Sequence, residues 1–161
     1  MRALTPVEAA VAFALGGSIL AVFVPGFVKN LHASRLAEPL QGLQHISARA
    51  AQLADAAPQL KAYPESAPLT PAQVARNQAV LDPPDTWTSP TWRLLDFAFT
   101  VPHSYSFQFT STNGPELSSY VASARGDLDG DGVLSSFEMS GSIAPGGSPR
   151  TSPLEVVREV E

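Results

Sequence analysis

Between Asp127 and Glu138 the chain reads DLDGDGVLSSFE, which satisfies every constrained position of the twelve-residue calcium loop D-x-[DN]-x-[DN]-G-x5-E. Alternate residues direct the carboxylates of Asp127, Asp129 and Asp131 toward one centre, and Gly132 permits the sharp turn. Val133 offers its carbonyl, Ser135 stands at the ninth position as a ligand or as the holder of a water, and Glu138 supplies a bidentate carboxylate. Four anions so close together repel one another unless a cation or solvent separates them. The chemistry is oxygen coordination of a hard cation, calcium rather than magnesium, because the loop is flexible and rich in oxygens. The flanks are not those of a helix–loop–helix hand: the exit segment alternates with period two and contains Gly141. A solvated Asp-Gly hairpin turn suits the same residues, since Asp and Gly accept the positive φ such turns require. Both readings stay open. In a loop joining two strands, Asp127, Asp129 and Asp131 remain grouped, whereas strand geometry carries Glu138 away.

The second residue of chemical interest is Glu8, a carboxylate at the margin of an apolar run. From Ala9 to Val28 no residue is charged, and as a helix at 1.5 Å per residue these twenty residues span about 30 Å, the depth of a hydrocarbon core. Arg2 and Glu8 precede the run, and Lys29, His32 and Arg35 follow it. An acid drawn to mid-bilayer costs about 2.5–3.5 kcal/mol, so it calls for a cationic partner. A cleaved secretory signal is the plainer alternative, although its apolar region is normally shorter and Glu8 interrupts the positive leader. A simple signal anchor is another.

The elements that position these residues follow from periodicity. Leu36, Leu40, Leu43, Ile46, Ala50 and Leu53 recur at spacings of three and four, an amphipathic stripe that continues the apolar run. The spacing predicts one helix over residues 4–56, transmembrane over 4–28 and amphipathic over 29–56, weakened at Pro25, Pro39 and Gly42. Seven prolines between Pro58 and Pro90 mark residues 57–90 as a connecting loop, with one short helix near 71–80. Ser89-Pro90 starts another helix, and Trp87 and Trp92 read as apolar anchors. Over residues 91–161 the period becomes two. Leu95 to Val101, Tyr105 to Thr110, Tyr120 to Arg125 and Ser136 to Ile143 read as strands, with a last edge strand from Leu154 to Val160. The fold class is α+β: a long N-terminal helix packed on a small antiparallel β-sheet of roughly four strands.

Residues 3–25 resemble the N-terminal segment of type IV pilins and of the pseudopilins of type II secretion. The leader is Met1-Arg2-Ala3 (residues 1–3), followed by Leu4, Thr5, Pro6, Val7 and Glu8, with Gly17 and Pro25 where the family has its glycine and proline. Three positions depart from the pattern: Ala3 replaces a glycine, Leu4 a phenylalanine and Pro6 an aliphatic residue. Residues 92–138, with an aromatic strand before ARGDLDGDG, look like the C-terminal region of pilin-like proteins of deltaproteobacteria. The resemblance implies a pilin-like fold and cleavage between Ala3 and Leu4 by a prepilin peptidase, with N-methylation of Leu4. The new amine would meet Glu8 of a neighbour, or Glu8 of its own chain before assembly, as Leu4, Glu8, Gly17 and Pro25 enter a homo-oligomeric filament. It also implies storage in the inner membrane, handling by inner-membrane assembly machinery, and a final place at the cell surface or in the periplasm. The alternative is a membrane-anchored extracytoplasmic calcium-binding domain that does not polymerise.

Composition narrows the remaining classes. The chain has 161 residues, 44% hydrophobic and 16% charged, with 10 Lys and Arg against 15 Asp and Glu, a net charge of −5. Without a basic stripe, nucleic-acid binding is not expected. Zero cysteines exclude disulfides and thiol chemistry. His32, His45 and His103 are too scattered for a triad, and no phosphate loop, G-x-S-x-G or H-E-x-x-H is present, so no enzyme is expected.

Overall fold

The computed structural model describes residues 5–7, 14, 36–56 and 61–158. Ala3, Leu4, Glu8, Gly17 and Pro25, and the run 9–28 apart from Ala14, lie outside the described residues. The chain divides into two compact units, Met1–Ala37 and Glu38–Glu161. In the first, residues 6, 7, 14, 36 and 37 are helical.

The expected fold class is overturned. The described residues form mostly a six-stranded antiparallel sheet with one long helix at 36–56, in place of a long N-terminal helix packed on a small sheet. Among the described residues no helix is long and apolar enough to cross a membrane. The sheet outgrows the expectation because the proline-rich segment and the C-terminal tail both contribute strands. These are β1 (Ala67–Thr70), β2 (Tyr105–Asn113), β3 (Ser118–Gly126), β4 (Ser135–Ile143), β5 (Arg150–Thr151) and β6 (Glu155–Arg158). Their order is β1-β2-β3-β4-β5, and β6 also pairs with β4.

Period two sorts the two faces of the sheet. On one, Tyr105, Phe107 and Phe109 of β2 stand opposite Gly126, Ala124 and Ala122 of β3, which in turn face Ser135, Phe137 and Met139 of β4. Rings beside small side chains let this layer interlock, and all nine residues are buried. The other face is polar, with Gln108, Ser123 and Glu138 in one row and Thr110, Val121 and Ser140 in the next.

Helix α1 covers residues 36–56, and its buried stripe is Pro39, Gly42, Leu43, Ile46, Ser47, Ala50 and Ala54. The stripe is rotated from the expected one: Leu36, Leu40 and Leu53 lie at its half-buried edges, while the two presumed breakers sit on it. Gly42 is there because the ring of Phe107 is; a Cβ at that position would come within 2.5 Å of its Cε1. The Glu38 carboxylate accepts from the backbone N–H groups of Ser104 and Tyr105 at 2.9 and 2.8 Å, tying α1 to the start of β2. Farther along, His45 Nε2 donates to the Asp96 carbonyl at 2.8 Å and Arg49 Nε to that of Leu94 at 3.2 Å.

Helix α2 (Pro90–Leu94) starts as its sequence predicts, with the Ser89 hydroxyl accepting from the Trp92 N–H and proline at N1. Trp87 and Trp92 are buried edge to face at 5.4 Å, next to Phe97. Leu95 to Val101, expected as a strand, is not one. The positive φ of Asp96, 52°, breaks the extended run, and the segment pairs with no strand among the described residues. Instead Leu95 N–H and Phe97 N–H bond back to Thr91 and Trp92, and Leu95 and Phe97 fill the core from a loop. Residues 71–80 form no helix.

Candidate metal centre

The acidic loop joins β3 to β4. Gly126 pairs with Ser135 at the end of the ladder, so the chain must reverse over residues 127–134. Two glycines at positive φ, Gly130 at 82° and Gly132 at 89°, supply the reversal. Each aspartate then folds the loop onto itself. Asp127 Oδ1 accepts from Gly130 N–H at 2.8 Å and its Oδ2 from Gly132 N–H at 3.2 Å. Asp129 accepts from Asp131 N–H at 3.1 Å, and Asp131 from Val133 N–H at 2.6 Å. These are Asx turns, in which a short acid substitutes for a backbone acceptor.

The result places one carboxylate oxygen from each of Asp127, Asp129 and Asp131 within 4.8 Å of the others. Two oxygens bound to one calcium at about 2.4 Å lie no more than about 4.8 Å apart, so the spacing of the three acids stays within the limit for a shared ion. Asp127 is 1% exposed and forms the floor; Asp129 and Asp131 are exposed and form the rim. The charge nearest the floor is Arg76, whose Nε lies 3.7 Å from Asp127 Oδ2. Asn77 N–H donates to the Asp127 carbonyl at 2.8 Å, which fastens the proline-rich segment to the loop.

Of the other expected ligands, the side chains of Ser135 and Glu138 do not gather there. Ser135 is buried and its hydroxyl donates to the Gly126 carbonyl at 3.0 Å, so it closes the ladder. Glu138 lies three residues inside β4, opposite Ser123 and Glu155, about 10 Å along the strand from the loop. The Val133 N–H is engaged with Asp131, and its side chain points to solvent. A cation here would take three carboxylates and complete its shell with water and backbone oxygens.

A second polar centre escaped the sequence. His103 is 4% exposed, with Nε2 at 2.7 Å from Asp82 Oδ2 and Nδ1 at 2.8 Å from the Tyr105 carbonyl. Trp87 Nε1 donates to the same Asp82 oxygen at 2.7 Å. Both ring nitrogens are engaged, so His103 holds the 82–103 junction together, aided by the paired backbone bonds of Val80 with His103. The carboxylate comes from a proline-rich stretch with no periodicity, which gives the pairing no signature in the sequence.

Tyr63 and Tyr120 are buried edge to face, 4.9 Å apart, and neither hydroxyl has a hydrogen-bond partner among the described residues. Burial, reinforced by the charge interaction with Tyr120, pushes the Tyr63 phenol up to about 12.

Comparison with family models, with curated proteins and with solved structures yields no match.

Proposed function

We propose that this chain is a structural subunit of a type IV pilus-like or pseudopilus filament, held in the inner membrane before assembly and polymerised through its N-terminal segment after cleavage between Ala3 and Leu4. The observation that carries this reading is the residue order at the N-terminus: Leu4, Thr5 and Glu8, then twenty uncharged residues containing Gly17 and Pro25. That run holds ten Val, Leu, Ile and Phe side chains, whose exposure to water would cost roughly 15–30 kcal/mol. Among the described residues, the core of the sheet unit is filled by side chains from Leu43 to Met139. Lipid before assembly and sister segments after it give the run the burial it requires. Glu8 then selects register, because its charge is tolerated at that depth only beside a cation such as the methylated amine of Leu4.

The test is Glu8→Ala. The variant should be cleaved and stored in the membrane at wild-type levels yet be absent from sheared filaments. Normal incorporation would remove the role given to Glu8 and the reading with it.

The grouping of Asp127, Asp129 and Asp131 favours a second reading, an anchored extracytoplasmic calcium-binding domain that does not polymerise. In either case the ion would brace the β3–β4 turn of a domain without disulfides.

A further inference from the structure

Residues 71–82 run along one end of the sheet as a strap, with a cleft of about 840 Å³ between the two. The middle of the strap is fastened to the acidic loop, where Asn77 N–H donates to the Asp127 carbonyl at 2.8 Å. Its end is fastened just before β2, by the paired backbone bonds of Val80 with His103 at 2.9 and 3.0 Å and by Asp82 on the His103 ring.

That ring contact sets a proton count. Nδ1 lies 2.8 Å from the Tyr105 carbonyl and Nε2 2.7 Å from Asp82 Oδ2, and neither a carbonyl nor a carboxylate oxygen can donate. A neutral imidazole carries one N–H, so it serves one of these oxygens and turns a lone pair on the other. Both bonds together need the imidazolium. Trp87 Nε1 donates to the same Asp82 oxygen at 2.7 Å, which suits an ionised carboxylate. The His103 and Asp82 side chains are 4% and 5% exposed, so water reaches them only if the strap moves. The rings of Phe99, stacked at 4.2 Å, and Trp87 cover the imidazole. The other titratable groups on the surrounding elements are Tyr105 of β2, Glu38 of α1, which accepts from the Ser104 and Tyr105 N–H groups, and Arg76 and Asp127, which face each other at 3.7 Å.

We propose that the strap is operated by pH: it is fastened while His103 carries a proton on both ring nitrogens and released when the second proton passes to solvent. Imidazoles titrate between about pH 5 and 8, so the fastening is complete at the acidic end of that range and lost at the alkaline end. Release widens the cleft and slackens the segment whose Arg76 and Asn77 abut the acidic loop. The device is independent of polymerisation, so its failure leaves the filament reading untouched.

The experiment is site-resolved amide hydrogen exchange on the full chain in detergent at about pH 5 and about pH 8.5, each rate divided by the intrinsic rate at that pH. Protection of the Asn77 and Val80 amides should fall about tenfold or more at the higher pH, the equivalent of one hydrogen bond to a charged group, while the amides of β3 keep theirs. His103→Gln does not titrate in this range and should show equal protection at both values. His45→Gln, at the exposed contact of α1 with Asp96, should leave the fall unchanged. The proposal is overturned if the parent chain shows no fall, if β3 loses protection in step with the strap, if the fall persists in His103→Gln, or if His45→Gln abolishes it.

Discussion

Asp127 has two duties. Its carboxylate accepts two loop N–H groups and also forms the floor of the three-acid group. If the loop holds calcium, adding the ion to the full chain in detergent at a hundredfold excess over its dissociation constant should stabilise the sheet unit by about 2.7 kcal/mol, read as a rise in melting temperature. Asp127→Asn keeps only one of the two loop N–H contacts, because an amide has a single acceptor oxygen, and should abolish the rise, whereas Glu138→Gln should retain it, since that acid lies well inside β4. A rise unaffected by Asp127→Asn would place the ion elsewhere; no rise in the parent chain would leave a bare Asp-Gly turn. Tyr63 makes a prediction at the other end of the pH scale. Its phenol titrates near 10 when unfolded and about 12 when folded, so the unfolded chain loses that proton first. Its share of stability is complete below pH 10 and declines between pH 10 and about 12. Tyr63→Phe should flatten that alkaline decline in a denaturation series across this range, and an unchanged slope would contradict the assignment.

Among the elements, α1 depends on the fit of Gly42 against Phe107. Gly42→Ala raises helix propensity but drives a methyl into the ring, and the overlap should win, with a loss of about 1–3 kcal/mol measurable by urea denaturation. A gain in stability would show that the ring yields freely. The same contact explains why Gly42 reads as a breaker from sequence: helix periodicity registers the missing side chain and not the ring that fills its place. Strands β2, β3 and β4 were legible because their alternation coincides with a buried face. Leu95 to Val101 alternates equally well and is a loop, because the N–H groups of Leu95 and Phe97 turn back to Thr91 and Trp92 and Asp96 takes a positive φ of 52°. The reverse holds for β1, hidden among prolines yet acceptable at the sheet's edge, where Pro68 need not donate to a ladder. In the acidic loop, the three aspartates were legible as a group because their spacing and the two glycines define the turn locally. The Asp82–His103 contact joins residues 21 apart in sequence through tertiary structure alone, and no local pattern announces it.

At the scale of the molecule, two kinds of surface divide the chain. Among the described residues the sheet unit buries a core of aromatic and aliphatic side chains, while the uncharged run 9–28 belongs by sequence to the other unit. Composition made the apolar run legible from the start, but it could not give the size of the sheet, which depends on edge strands too short and too exposed to carry a pattern. The most direct test of the filament reading is the accurate mass of the mature chain recovered from cells. The account predicts a chain beginning at Leu4 and heavier by one methyl group at its amine. A mature pool that still carries Met1 would contradict it.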